Sequence, residues 1–236
     1  MSVYAVADLH GQLELWKAIE RFLKPEDKIY VLGDCGDRGP QPWETIKAVF
    51  TNPQVEYLLG NHELMLTAAM SEWLMDEQLA SDYYLLCSNG GLGTFDGWLN
   101  DGAKTNWCHE LSLLPSIATY INKDGIIISM SHSGKYISTS DDSYTWKDLV
   151  WDREHFNEPW CGAENEVVVH GHTPIPHLAK KISRKVPEEP GAFWYCDNHK
   201  ICLDNASFST GFATVLDLDT FDEHVFVLDK SEENDA

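Results

Sequence analysis

Positive charge is scarce in this chain: 17 Lys and Arg stand against 38 Asp and Glu, a formal charge of −21. That deficit argues against nucleic acid as a partner, because phosphate backbones are bound through an excess of cationic side chains. Any anionic substrate must be drawn in by something local. Long apolar runs are lacking as well. Stretches such as Ile126-Ile127-Ile128 fall far short of the roughly 18 residues a membrane helix needs, so no membrane association is expected. The start, Met1-Ser2-Val3-Tyr4-Ala5, lacks the basic-then-apolar layout of a secretory signal, which leads us to expect a cytoplasmic protein. Six cysteines occur without any Cys-x-x-Cys pair and read as reduced thiols, neither a zinc finger nor a disulfide framework.

What remains has ordinary globular composition, with 43% hydrophobic residues, enough to exclude wholesale disorder. No internal repeat or linker divides it, so one domain over 1–236 is expected. Strand patterns at Val3–Ala7, Ile29–Leu32 and Val55–Leu59 alternate with helical spacing at Gln12–Leu23, Pro42–Phe50 and Glu63–Met75. Such alternation predicts parallel strands with right-handed crossovers. A less regular stretch, about 64–115, is expected to form an inserted helical cap. Asn122-Lys123-Asp124-Gly125 then predicts a hairpin between Ile117–Ile121 and Ile126–Met130. Further strands are expected at Val167–Val169, Phe193–Cys196, Ile201–Leu203, Ala213–Leu218 and Val225–Leu228, mostly antiparallel. The acidic tail, 231–236, is expected to be disordered.

The chemistry sits at strand ends. Asp8-Leu9-His10-Gly11 follows the first strand, Gly33-Asp34-Cys35-Gly36-Asp37-Arg38-Gly39 the second, and Gly60-Asn61-His62-Glu63 the third. Ligands of open α/β sheets lie beyond the carboxyl ends of the strands, so these side chains should converge in space. Carboxylate, imidazole and amide together suit Mn, Fe or Zn. Asp34, between the other two strand ends, is the natural bridge between two ions, the usual apparatus for phosphate ester hydrolysis. More imidazoles follow later strands, in Ser131-His132-Ser133-Gly134 and Val169-His170-Gly171-His172-Thr173. Cys35, flanked by acids, is expected to be an inert packed thiol, since its thiolate is disfavoured there.

In this order the five blocks resemble the calcineurin-like metallophosphoesterases, and within them most closely the bacterial and phage-lambda-type serine/threonine protein phosphatases. The resemblance runs from about Val3 to Leu218 and implies a two-sheet αββα sandwich. It also implies one ion held by Asp8, His10 and Asp34, and a second by Asp34, Asn61, His132 and His172, with Mn the foremost candidate. His62 would be the general acid, Asp37 the carboxylate that orients it, and Arg38 and Arg153 the pair gripping phosphoryl oxygens. Displacement would be in line, by metal hydroxide, without a phosphoenzyme. Asp152 adds negative charge beside Arg153, where the family often has a small polar residue.

The expected activity is therefore a dinuclear-metal phosphomonoesterase acting on phosphoserine or phosphothreonine in proteins, or on a small phosphoester. One alternative is a hydrolase resembling the symmetrical diadenosine tetraphosphatases. Those tend to carry Ala in the Asp37 slot and Asp in the Glu63 slot. A second alternative is a non-catalytic phosphopeptide-binding module. No motif specifies an oligomeric state.

Overall fold

A computed structural model describes residues 1–76, 81–136 and 145–228. The expected disordered tail lies outside the described residues. In chain order the elements are β1 (Val3–Val6), α1 (Leu13–Phe22), β2 (Lys28–Val31), α2 (Pro42–Thr51), β3 (Val55–Tyr57) and α3 (Asn61–Asp76). There follow α4 (Ser81–Ser88), α5 (Leu92–Leu99), α6 (Lys104–Ser112), β4 (Ile117–Ile121), β5 (Ile127–Ser131) and α7 (Trp146–Trp151). The last are β6 (Glu166–His170), α8 (Ile175–Lys181), β7 (Phe193–Tyr195), β8 (Lys200–Cys202), α9 (Ser207–Thr210), β9 (Phe212–Asp217) and β10 (Glu223–Val227).

Two five-stranded sheets stack face to face, in the orders β10-β9-β1-β2-β3 and β4-β5-β6-β8-β7. Every residue of β1 is buried, as expected of a strand covered on both faces. Its Val3 and Ala5, with Ala7 just past it, meet Ile128, Met130, Val167, Val169 and Ile201 of the second sheet in a buried apolar layer between the sheets. The other face, with Tyr4 and Val6, packs against Leu15, Trp16 and Ile19 of α1, Trp43 and Ile46 of α2, and Trp98 of α5. Helix α8 covers the far side of the second sheet through Leu178 and Ala179, against Phe193, Tyr195 and Cys202. The architecture is the αββα sandwich. Among the described residues no helix is long and apolar enough to cross a membrane. All six cysteines are free.

Most of the later strands pair antiparallel, as expected, but β6 does not: β5 pairs with β6 in parallel (Ile128↔Val167), and so does β6 with β8 (Val169↔Ile201). The chain between each of these pairs is long, the stretches 132–165 and 171–199, and carries α7 and α8 across. The genuine hairpins are β4–β5, β7–β8 and β9–β10. Helix α3 also begins at Asn61, not Glu63, so Asn61 and His62 lie in its first turn. The consequence for function is geometric. Parallel β1, β2 and β3 end at one edge of the first sheet, and parallel β5, β6 and β8 end together in the second.

Candidate active site

Six of the ten residues expected at the site hold left-handed backbone: Asp8 (φ 54°), His10 (41°), Asp34 (55°), Asp37 (65°), Arg38 (63°) and His172 (69°). Asp and His tolerate this region better than most residues. Even so, each such residue costs about 1–3 kcal/mol, and the strain persists only where the surroundings over-determine it. Those surroundings are legible. Glu63, fully buried, spreads its carboxylate over four donors: the N–H groups of Asp34 (2.7 Å), Cys35 (2.9 Å) and Gly60 (3.1 Å), and the Tyr57 hydroxyl (2.7 Å). A side chain at Gly60 would strike both Asp34 and this carboxylate, so only glycine allows the approach. Gly171 is equally constrained, because a Cβ there would collide with the Asp8 carboxylate.

Around Asp34 the side chains gather. Its Oδ2 lies 3.3 Å from His132 Nε2, 3.7 Å from His10 Nε2 and 3.8 Å from His62 Nε2. Asn61 Oδ1 sits 2.9 Å from His132 Nε2 and 2.8 Å from His172 Nδ1. The two ring nitrogens are 3.2 Å apart. The Asp8 carboxylate accepts the His172 backbone N–H at 3.0 Å. Among the described residues two clusters could hold a metal ion, His10/Asp34/His62 and Asp34/His132/His172, and Asp34 belongs to both. All of these residues are buried.

The donor set fits cations. His132 donates Nδ1–H to Leu32 O (2.7 Å), and His10 donates Nδ1–H to Gly36 O (2.9 Å), so each turns Nε2 toward the centre, where that of His10 accepts from Arg38. Asn61 Oδ1 and Asp34 Oδ2 then crowd His132 Nε2, at 2.9 and 3.3 Å, and either a proton on that nitrogen or a cation reconciles the three. Burial pushes Asp8 well above the ordinary carboxyl range, helped by repulsion from Asp204 and Asp34. Burial would do the same to Asp34, yet His132 and His62 beside it hold it well below that range. In turn burial opposes a charge on His132, but Asp34 overcomes this and draws it up to about 10. Burial keeps His10 neutral, with its pKa down at about 3. Buried carboxylates that draw a proton onto His132 make a pocket that calls for positive charge.

A second constellation flanks the first. His62 Nδ1 is 2.5 Å from Asp37 Oδ2. The Asp37 carboxylate is itself held by the Thr94 hydroxyl of α5, and Thr94 Oγ1 accepts the Asp37 N–H at 2.9 Å. Arg38 lays Nη1 on His10 Nε2 and Nη2 on His62 Nε2, both at 2.8 Å. In that pose His62 accepts at Nε2 and gives its Nδ1 proton to Asp37. Burial disfavours an imidazolium at His62, but Asp34 and Asp37 outweigh it and raise its pKa. Withdrawal of Arg38 would therefore leave Nε2 ready to carry a proton. Arg153 is exposed, with Nε on Thr173 Oγ1 at 3.1 Å, next to His172. Asp152 turns away from it, to Lys135 at 3.2 Å.

Some neighbours were not singled out from the sequence. Asp204, buried, ends β8 as Asp8 and Asp34 end theirs, and burial raises it to about 6. The same strand-end signal was there to be read in Ile201–Leu203 followed by Asp204. Glu63 stood inside a motif without a role, while Thr94 and Phe208 carried no signal. Cys35 is buried, and burial pushes its thiol up, with Glu63 adding to the shift, as an inert thiol requires. His170 accepts from the Tyr195 hydroxyl (2.8 Å) and donates to Gly171 O (3.0 Å), and so belongs to the scaffold.

Comparison with known proteins meets this geometry. The calcineurin-like phosphoesterase family matches residues 1–176, and the chain belongs to that family, a family of metal-dependent phosphoric ester hydrolases. It is 39% identical over 72 residues to the symmetrical bis(5'-nucleosyl)-tetraphosphatase of Chromobacterium violaceum. That match covers 29% of this chain and only 26% of the relative. Among solved structures, a protein serine/threonine phosphatase from Saccharomyces cerevisiae superposes with a TM-score of 0.61 at 13% identity. It covers 100% of this chain and 82% of its own. A candidate diadenosine tetraphosphatase matches with a TM-score of 0.61 at 16% identity, covering 97% and 94%. At these identities the structural likeness speaks to the fold.

Proposed function

We propose that the chain is a dinuclear-metal hydrolase of phosphate esters and anhydrides. Asp8, His10 and Asp34 would hold one divalent ion, and Asp34, Asn61, His132 and His172 the other, with Mn the foremost candidate. When bound, the ions supply Lewis acidity and an activated water. The chain's own residues do the rest. Arg38, displaced from His10 Nε2 once that nitrogen is a ligand, offers its N–H groups to the phosphoryl oxygens together with Arg153, and guanidinium forks suit such oxygens. His62, oriented by Asp37 and freed at Nε2, protonates the departing oxygen. The observation that carries this reading is the convergence of Asp34, Asn61 and His132 on one point, with Arg38 and His62 alongside.

For the substrate, the relatives named symmetrical bis(5'-nucleosyl)-tetraphosphatases support a dinucleoside polyphosphate. One observation favours a second reading. The 2.5 Å His62–Asp37 contact builds a proton donor, which an alkoxide leaving group needs far more than a nucleoside diphosphate does. That supports phosphomonoesters, phosphoserine and phosphothreonine among them. Product analysis on diadenosine tetraphosphate and on a phosphopeptide panel, with Asp34→Asn as control, decides between them. Symmetrical cleavage to two ADP supports the first reading, and phosphate release from peptides the second. Metal-loaded protein that binds phosphopeptide and never turns over would overturn both.

A further inference from the structure

Arg38 is a cation held only by uncharged partners. Among the described residues no carboxylate lies within ion-pair distance of it. Besides the two imidazoles it has the Asn89 carbonyl, 3.4 Å from Nε, and the face of Phe208, whose ring centre is 5.1 Å from the guanidinium carbon. Phe208 also stands edge-on to His10, with ring centres 5.6 Å apart at 87°. It is 40% exposed, although a phenyl ring gains little by standing half in water at the mouth of a polar site.

The backbone beneath Phe208 is held firmly. Ser207 donates its hydroxyl to Asp8 O, tying α9 to the end of β1. Asp204 Oδ1 accepts the Ala206 N–H at 2.8 Å, and Ala206 holds left-handed backbone at φ 55°. The ring is therefore placed relative to the strand end that carries Asp8 and His10.

Its contact with Arg38 differs from the others in kind. Phosphoryl oxygens would take the N–H groups now resting on His10 and His62, and with them both hydrogen bonds. A cation over a ring face is held by the ring's quadrupole and needs no lone-pair partner, so this contact survives that exchange. We propose that Phe208 is a positioning residue that keeps the Arg38 guanidinium in place while its N–H groups pass from imidazole to phosphoryl oxygen. The proposal rests on the reading of Arg38 as a phosphoryl-binding residue.

The test uses the metal-loaded protein and inorganic phosphate as probe, with Kd from calorimetry, metal content by mass spectrometry, and steady-state kinetics on the best substrate. Phe208→Ala and Phe208→Leu are both expected to weaken phosphate about threefold to thirtyfold, the range of a cation–π contact. KM should rise, with metal content unchanged. Phe208→Tyr, which keeps the ring, should restore binding to within about twofold. In an Arg38→Ala background, Phe208→Ala should add nothing. Wild-type affinity in Phe208→Leu would overturn the proposal, as would an equal loss with and without Arg38, or a loss of metal in Phe208→Leu. If Arg38→Ala alone leaves phosphate binding intact, the Arg38 reading falls and the proposal with it. Loss in Arg38→Ala without loss in Phe208→Ala sinks the proposal alone.

Discussion

The two sheets meet at one rim and contribute opposite chemistry to it by opposite means. The first sheet delivers mostly oxygen groups, Asp8, Asp34 and Asn61, on strained turns braced by N–H donors that converge on the buried Glu63 carboxylate. The second delivers the imidazoles His132 and His172, and a backbone carbonyl accepts the Nδ1–H of His132, as one does for His170 in the scaffold. Carboxylate positions are thus secured by donors, and imidazole positions by acceptors that also settle the tautomer. The first arrangement stores more strain and depends on a buried charge, so damage there should propagate further.

Asp34→Asn gives the largest effect, because it removes the oxygen shared by both metal-capable clusters. Turnover should fall below detection, and bound metal, measured by mass spectrometry, should drop strongly. Full metal content in that variant would break the bridging assignment. His62→Asn should lower kcat on ester substrates by about 10²–10⁴-fold while metal content holds. Equal metal loss in both variants would undo the separation of ligand from proton donor.

The braces themselves sharpen the contrast. Glu63→Gln places an amide N–H₂ against donors and should cost about 2–4 kcal/mol in denaturant unfolding. Tyr195→Phe removes one hydroxyl from His170 and should cost about 1 kcal/mol. The reverse order of these two would refute the idea that the first sheet's rim is the more strained. A last effect concerns pH. His155, buried against α8's side of the second sheet, has its pKa pushed by burial from 6.5 to about 2. The unfolded chain then binds its proton first, so this contribution to stability is complete above about pH 6.5 and declines as pH falls below it. His155→Leu should flatten the fall in Tm between about pH 6.5 and 5. An unchanged slope would show that other groups set the acid limb.

Much of the site was legible in the residues because metal-capable side chains and sharp turns leave short, ordered blocks such as Gly-Asn-His-Glu at 60–63. Helix and strand positions in the first half followed from apolar spacing, as in Leu15, Trp16 and Ile19 of α1. The parallel pairing of β5, β6 and β8 was not legible, since strand direction depends on where a long connection travels and leaves no periodic trace. Thr94 and Phe208 were invisible for a related reason. Each acts through a partner 57 or more positions from it in contact or placement, Asp37 for the one and, through Ser207, the end of β1 for the other.

What the chain's order of residues settled alone is local: which side chains follow which strands, and where glycine lets the backbone turn tightly enough to present them. Bringing Asp34, Asn61, His132 and His172 to one point was left to the stacking of two sheets with parallel centres, because only burial between them brings groups so distant in the chain within hydrogen-bonding reach. The same stacking set the charge of the site, since a carboxylate or imidazole takes its proton affinity from the neighbours and the water it has lost.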